Sequence, residues 1–101
     1  MSGMENDINF IQEEGERCKD DLVVYALSTC GFCRRALIFL RQHSIKFKYV
    51  YFDEQEPALQ ETIIKKLRVQ FNEDLSFPFL VINCKKYIIG FDQEEWEKEL
   101  L

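Results

Sequence analysis

Two cysteines three positions apart, Cys30 and Cys33, are the residues of this chain best suited to carry chemistry. A Cys-x-x-Cys pair can alternate between dithiol and disulfide, or it can supply two ligands to a metal. The pair stands where an apolar run, residues 22–27, ends and a helical pattern begins at Gly31. A thiol at the start of a helix faces unpaired backbone N–H groups and the positive end of the helix dipole, and both stabilise a thiolate. This placement favours thiol–disulfide exchange.

The spacing predicts a different step for each cysteine. Cys30, at the helix start and nearer to solvent, is expected to attack a substrate disulfide as the nucleophile. Cys33, one turn further along the same helix face, is expected to attack the mixed disulfide and release the reduced substrate. Ser28 or Thr29 is the expected cap of this helix.

Metal binding is the alternative chemistry for the same thiols. One Cys-x-x-Cys is half of a zinc site, and the remaining candidates, Cys18, Cys84 and His43, are isolated along the chain. We therefore expect no zinc site. An iron–sulfur carrier is a second alternative, in which Cys30 binds a cluster bridged between two chains and reduces nothing.

The composition is that of one small domain. At 101 residues and 47% hydrophobic content, the chain can bury a core without crosslinks. Residues 1–7 lack the basic and apolar regions of a signal peptide, and no apolar run reaches the roughly 18 residues of a membrane span. The formal net charge of −5 argues against nucleic acid as a partner. We expect a cytoplasmic monomer that binds neither nucleic acid nor membrane.

Local patterns predict the elements that position the cysteines. Residues 1–20 form an extension, either a short helix near residues 8–18 or a partly disordered segment, and residues 21–101 form the domain. Four strands are expected near residues 22–27, 47–52, 79–82 and 87–89. Three helices are expected near residues 31–43, 53–69 and 92–101, and the last buries Trp96 and Leu100. Capping boxes are expected for the second and third helices, from Asp53 with Glu56 and from Asp92 with Glu95. The order β-α-β-α-β-β-α implies a parallel pair followed by an antiparallel hairpin.

Pro78, just before the third strand, completes a wider pattern. With the upstream dithiol and this strand order, residues 22–101 resemble the thioredoxin superfamily and, within it, the glutaredoxin family. The residues that carry the resemblance are Val24-Tyr25-Ala26-Leu27-Ser28-Thr29-Cys30-Gly31-Phe32-Cys33, then Phe77-Pro78, then Ile89-Gly90-Phe91-Asp92. The resemblance implies an α/β, thioredoxin-like fold, with a four-stranded mixed β-sheet between helices on both faces.

The resemblance also implies roles for residues outside the dithiol. Pro78 would follow a cis peptide bond and lie beside the dithiol, and the backbone of Phe77 would pair with a bound peptide or with glutathione. Gly90 and Asp92 would hold a substrate backbone, or a carboxylate at the helix N-terminus.

Three aromatic rings, those of Phe32, Phe77 and Phe91, lie beside the segments that would meet at this site. If these segments converge, the rings form an apolar rim that favours protein or peptide disulfides over small polar ones. Ordinary core packing is the other interpretation of the same residues.

Three positions distinguish this chain from other glutaredoxins. Leu27 stands where glutathione-using members usually carry Lys or Arg, and Gly90-Phe91 stands where they usually carry Gly-Gly. The Gly-Phe pair is similar to redoxins that supply ribonucleotide reductase and are themselves reduced by a protein reductase. Cys33 stands where monothiol members, which bind iron–sulfur clusters, carry Ser. The resemblance thus implies a dithiol oxidoreductase that reduces protein or glutathione-mixed disulfides without a required cofactor, with glutathione or a reductase as electron donor.

Overall fold

Five strands and three helices make up residues 8–101, the part of the chain that the computed structural model describes. In chain order the elements are β1 (Ile11–Glu13), β2 (Leu22–Ala26), α1 (Gly31–Gln42), β3 (Phe47–Tyr51), a 3₁₀ turn (Phe52–Glu54), α2 (Pro57–Phe71), β4 (Phe79–Ile82), β5 (Lys86–Ile89) and α3 (Gln93–Leu100). From β2 onward this is the predicted order β-α-β-α-β-β-α.

The sheet is mixed, with the strand order β1-β3-β2-β4-β5. The central strand, β2, runs parallel to β3 and antiparallel to β4, so that Val24 lies between Tyr49 and Leu80. All five residues of β2 are buried, as expected of a strand covered on both faces. The parallel pair and the antiparallel β4–β5 hairpin are confirmed.

The sheet has five strands where four were predicted, because residues 11–13 pair with an edge. The predicted helix near residues 8–18 is wrong: β1 runs antiparallel to β3, with Ile11 opposite Tyr49. Beyond β1, Gly15 approaches the backbone of the segment before β3, and a methyl group there would lie 2.6 Å from the Ile45 carbonyl carbon. Pairing with β3 gives backbone N–H and C=O groups of β1 partners within the sheet, whereas a short polar helix would leave many such groups to water. Residues 1–7 of the predicted extension lie outside the described residues.

Two clusters of buried side chains cover the two faces of the sheet. Successive residues of β2 alternate between the clusters, as the pleat of a strand requires. The cluster that joins β2 to α1 and α3 includes Val24, Ala26, Cys33, Leu37, Phe39, Leu40, Trp96 and Leu100. The cluster that joins β2 and β4 to α2 includes Val23, Tyr25, Ile63, Leu67, Phe79 and Val81. Helices therefore cover both faces of the sheet, as predicted.

Neither predicted capping box forms. Asp53 lies in the 3₁₀ turn, and α2 begins at Pro57 after Glu56, whose side chain makes no cap bond. Asp92 is the N-cap residue of α3, but its side chain also makes no cap bond. In residues 8–101, no helix combines the length and apolar character needed to cross a membrane.

Candidate active site

The sulfur of Cys30 lies at the N-terminus of α1, where the backbone supplies a hydrogen bond to it. Cys30 is the N-cap residue, and its Sγ accepts from the Cys33 N–H at 3.2 Å. A preceding turn, in which the Cys30 N–H donates to the Leu27 carbonyl at 3.2 Å, brings the sulfur into this position. The prediction of Ser28 or Thr29 as the cap is therefore wrong, because Cys30 itself provides the acceptor. The half-buried Cys30 thus carries the sulfur that backbone donors can stabilise as a thiolate.

Cys33 has the opposite environment. It is 0% exposed and belongs to the cluster beneath α1. Burial, followed by its hydrogen bond with Cys30, raises the pKa of the Cys33 thiol from 9.0 to about 12. Both cysteines are free thiols in this structure, which therefore describes the reduced protein. At neutral pH, Cys33 keeps its proton while Cys30 is accessible to a substrate.

The segment before Cys30 is tied to the end of β3. The carboxylate of Asp53 accepts from the Ser28 N–H at 2.9 Å and also from the Ser28 hydroxyl. These two bonds lower the pKa of Asp53. The bonds are made above that lowered pKa and are lost as the pH falls through it, because protonation removes the charge that they stabilise. Asp53 therefore anchors the segment that leads into the dithiol.

Pro78, which lies on the chain between α2 and β4, is buried and follows a cis peptide bond. The cis bond expected from the resemblance is therefore present. The Pro78 carbonyl accepts from the Gly90 N–H at 2.8 Å, which extends the β4–β5 ladder by one bond. Gly90 has φ +85°, a left-handed conformation that glycine adopts without steric cost. The Gly90 carbonyl accepts from the indole N–H of Trp96 at 3.1 Å.

The structure gives each ring of the predicted rim a different partner. Phe32 is 59% exposed, and the guanidinium carbon of Arg35 lies 5.6 Å from its ring centroid. Phe77 packs on Phe52 with ring centroids 5.4 Å apart. Phe91 lies against the rings of Phe39 and Trp96, with centroids 5.6 Å and 5.0 Å away.

The packing nevertheless brings three of the predicted segments together. Cys30, Phe77 and Phe91 are all partly buried against the same cluster, the one that contains Cys33. Phe91 also fits the core-packing interpretation, since its ring contacts two rings of that cluster. Phe32 is the one ring of the three that projects into solvent.

The start of α3 carries negative charge. Asp92 and the first-turn residues Glu94 and Glu95 are exposed carboxylates. Their charges oppose the attraction of the helix dipole for an anion. This end of α3 is therefore better suited to a substrate backbone than to a free carboxylate.

The remaining candidate ligands lie elsewhere. Cys18 precedes β2 and Cys84 lies in the β4–β5 turn, and both are exposed free thiols. His43 is the C-cap residue of α1 and lies against the ring of Phe39, with centroids 4.5 Å apart. Among residues 8–101, no group of three or more His, Cys, Asp or Glu side chains is arranged to hold a metal ion.

Two residues of the site have contacts that no local pattern indicated. Asp53 was predicted as a helix cap, and its actual partner, Ser28, is 25 positions away. Trp96 was predicted only as a core residue, and its indole N–H donates to a backbone carbonyl beside the cis proline. A buried tryptophan usually has a hydrogen-bond acceptor for its indole N–H, so the predicted burial of Trp96 indicated that an acceptor exists. It did not indicate which group that acceptor is.

Comparison with known proteins places this arrangement among the redoxins. The glutaredoxin family model matches residues 22–86, which is more than half of the chain. A search of curated proteins found no significant match.

Several solved structures are similar to this chain. The glutaredoxin of Methanosarcina mazei is 28% identical, with a TM-score of 0.78 and coverage of 94% of this chain and 97% of that chain. The methanoredoxin of Methanosarcina acetivorans is 29% identical, with a TM-score of 0.76 and coverage of 85% and 88%. A buckwheat glutaredoxin–glutathione complex is 22% identical, with a TM-score of 0.61 and coverage of 79% and 70%, a likeness of fold alone.

Proposed function

The chain belongs to the glutaredoxin family of thiol–disulfide oxidoreductases and has a thioredoxin-like fold, and on that premise we propose that it is a dithiol reductase with Cys30 as nucleophile and Cys33 as resolver. The observation that carries the proposal is the contrast between the two sulfurs. The Sγ of Cys30 is half-buried and accepts a backbone N–H at 3.2 Å, whereas Cys33 is buried beneath it. The cis proline at position 78 belongs to a segment packed against the same cluster.

The reaction has two balanced steps. The thiolate of Cys30 attacks one sulfur of the substrate disulfide, which forms a mixed disulfide and releases the other substrate sulfur as a thiolate. Cys33 then loses its proton and attacks the Cys30 sulfur, which forms the Cys30–Cys33 disulfide and releases the second substrate thiolate. Two electrons pass from the protein dithiol to the substrate, and the released thiolates take up protons. An external dithiol, or two molecules of glutathione, returns the two electrons.

The structure suggests how Cys33 becomes reactive only when it is needed. Two of the causes that raise its pKa come from Cys30, namely their hydrogen bond and the charge on Cys30. Both are lost when Cys30 enters a mixed disulfide, because its sulfur is then uncharged. The pKa of Cys33 should therefore fall at the point where its thiolate is required.

The proposed substrates are protein disulfides, such as that of ribonucleotide reductase, and glutathione-mixed disulfides. The absence of a cation at Leu27 and the carboxylates of Asp92 and Glu94 favour protein substrates over anionic small molecules. The exposed ring of Phe32 offers an apolar contact beside Cys30. We place the reaction in the cytoplasm, where thiols are kept reduced.

Glutathione is one proposed electron donor, and a protein reductase is the other. Supplying each donor in turn to the oxidised protein distinguishes them. No cofactor is required for the exchange steps themselves, since both electrons are held by the two sulfurs.

Insulin reduction tests the proposal directly. Wild type, Cys30→Ser and Cys33→Ser are compared with dithiothreitol, glutathione or a thioredoxin-type reductase as electron donor. We expect turnover in wild type, none above background in Cys30→Ser, and single-turnover attack without catalytic turnover on insulin in Cys33→Ser. A variant that lacks both remote thiols, Cys18→Ser with Cys84→Ser, is the matched control and should remain active. Full activity of Cys30→Ser would refute the assignment.

The same preparations test the iron–sulfur carrier. A carrier purified without oxygen would be brown, with a visible absorption band that Cys30→Ser abolishes, and it would not reduce insulin. We expect a colourless protein that reduces insulin.

A further inference from the structure

Trp96 lies under the candidate substrate-binding segment and contacts it in two ways. Its side chain is 0% exposed, and its indole Nε1–H donates to the Gly90 carbonyl at 3.1 Å. Its ring meets that of Phe91 edge to face, with centroids 5.0 Å apart and an interplanar angle of 82°. A buried indole N–H without a partner is costly, so the acceptor must lie within its reach. The first turn of α3 places Trp96 near enough to reach Gly90. In this turn the Trp96 backbone N–H donates to the Asp92 carbonyl at 3.0 Å.

Both peptide groups of Gly90 are fixed by these contacts. Its N–H donates to the Pro78 carbonyl at 2.8 Å, and its carbonyl accepts from Trp96. The φ of +85° at Gly90 is open to glycine without steric cost, and a methyl group there would meet no heavy atom within 4 Å. Sterics alone therefore do not hold this residue, and the two hydrogen bonds do.

The bond to Trp96 also orients the next N–H group. In a planar trans peptide, the carbonyl and the N–H point in opposite directions. Because the Gly90 carbonyl points toward Trp96, the Phe91 N–H points away from the core. The Phe91 N–H is therefore free to donate a hydrogen bond to a backbone carbonyl of a substrate.

The ring of Trp96 connects this segment to the helix that carries both cysteines. It lies edge to face with Phe39 of α1, with centroids 6.2 Å apart, and Phe39 also contacts Phe91 at 5.6 Å. Cys33 belongs to the same buried cluster. The position of the Gly90–Phe91 segment relative to the dithiol therefore depends on Trp96.

We propose that Trp96 is a positioning residue for substrate binding, which holds the Gly90–Phe91 peptide so that the Phe91 N–H faces the substrate. This rests on the proposed reductase function, because it assigns a role within the same site. Trp96 does not touch the reacting sulfurs, so its loss should weaken substrate binding rather than slow the exchange steps.

Two variants separate the hydrogen bond from the bulk of the ring. Trp96→Phe removes the N–H donor and part of the ring. Trp96→β-(3-benzothienyl)alanine keeps the bicyclic shape and removes only the donor, and it alters one site because Trp96 is the one tryptophan of the chain. Tyr87→Phe is the matched control: it removes a side-chain hydrogen bond, to Glu73 at 2.8 Å, from a residue packed against the other cluster.

The readouts are the kinetics of insulin reduction with dithiothreitol and the hydrogen exchange of the Gly90 amide. We expect both Trp96 variants to raise the KM for insulin roughly fivefold with kcat little changed, since one hydrogen bond is lost from a binding segment. The Gly90 amide should exchange about fivefold faster or more, while the Ile88 amide and the rate of Cys30 alkylation stay unchanged. Tyr87→Phe should match wild type in KM.

An unchanged KM in the folded benzothienyl variant would overturn the proposal. So would a loss in kcat alone, which would indicate a disturbed dithiol. If wild type fails to reduce insulin, the proposed function fails, and the Gly90 exchange rate alone then decides whether Trp96 holds the segment.

Discussion

At the scale of single residues, the two cysteines differ in what surrounds their sulfur atoms. Cys30 accepts a backbone N–H at the start of α1, whereas Cys33 is enclosed by the buried cluster. A thiol without solvent keeps its proton, and a thiol with donors and access can react. The proposed division of roles therefore rests on position on the helix rather than on any difference in chemical type.

The burial of Cys33 predicts a dependence of stability on pH. Its pKa is raised from 9.0 to about 12, so the folded state binds this proton more tightly than the unfolded state. The contribution is fully present below pH 9 and is lost as the pH rises toward 12. The free energy of unfolding of the reduced protein should therefore fall as the pH rises through that range.

Urea unfolding on either side of pH 9 checks this prediction, with Cys33→Ala as the control. Lysines and other groups titrate equally in both proteins and cause a decline that both share. The control should show only this shallower decline, because it lacks the Cys33 thiol. Parallel declines in the two proteins would contradict the prediction.

Asp53 is the residue that anchors the segment before the dithiol. Asp53→Ala removes both acceptors of Ser28, so the Ser28 amide should exchange with solvent roughly fivefold faster. It should also lower the pKa of Cys33, because the charge of Asp53 raises it. NMR titration of the Cys33 Cβ and exchange of the Ser28 amide measure both effects.

Glu54→Ala is the matched control, since it removes a neighbouring exposed carboxylate that does not bond to Ser28. Equal behaviour of the two variants would show that Asp53 acts only as one surface charge among several.

At the scale of elements, the start of α1 and the edge strand β1 illustrate what a sequence can and cannot indicate. The α1 start was predictable because an apolar strand, a cysteine and a helical period follow one another within a few residues. The edge strand was not, because its three residues have no local period and pair with β3, more than thirty positions along the chain.

The partners of Asp53 and Trp96 were also unpredictable from local patterns. The partner of Asp53 lies 25 positions away, where only the tertiary fold can bring it. The acceptor of Trp96 is only six positions away, but the left-handed turn at Gly90 decides where that carbonyl points, and no side-chain spacing encodes it. Pro78 is the contrasting case, since the family resemblance implied its cis bond and the structure contains it.

The approach of the β1 segment to the rest of the fold predicts the effect of Gly15→Ala. The added methyl group would clash with the backbone of Ser44 and Ile45, which cannot move as a flexible side chain would. We expect a loss of about 2 kcal/mol in the free energy of unfolding, measured in urea. Gly31→Ala is the matched control, because a methyl group there meets no atom within 4 Å, and it should leave stability unchanged or raise it by about 0.5 kcal/mol. A Gly15→Ala protein as stable as wild type would contradict the expected clash.

At the scale of the whole molecule, the fold brings together three segments that are far apart in the chain. The dithiol, the cis proline and the Gly90–Phe91 segment are held by β2 with α1, by β4, and by β5 with α3. Cys30, Phe77 and Phe91 are each partly buried against the same cluster, so the three segments share one packed face of the sheet. The proposed covalent chemistry needs only the two sulfurs, and the elements around them fix where these sulfurs lie.

The most direct test of this account is to trap the first intermediate. Cys33→Ser is mixed with insulin, the unreacted thiols are alkylated, and the disulfide-linked peptides are identified by mass spectrometry. We predict a mixed disulfide between an insulin cysteine and Cys30, formed faster than any adduct at Cys18 or Cys84. A protein that forms its insulin adduct at one of the exposed cysteines, and leaves Cys30 to be alkylated, would contradict it.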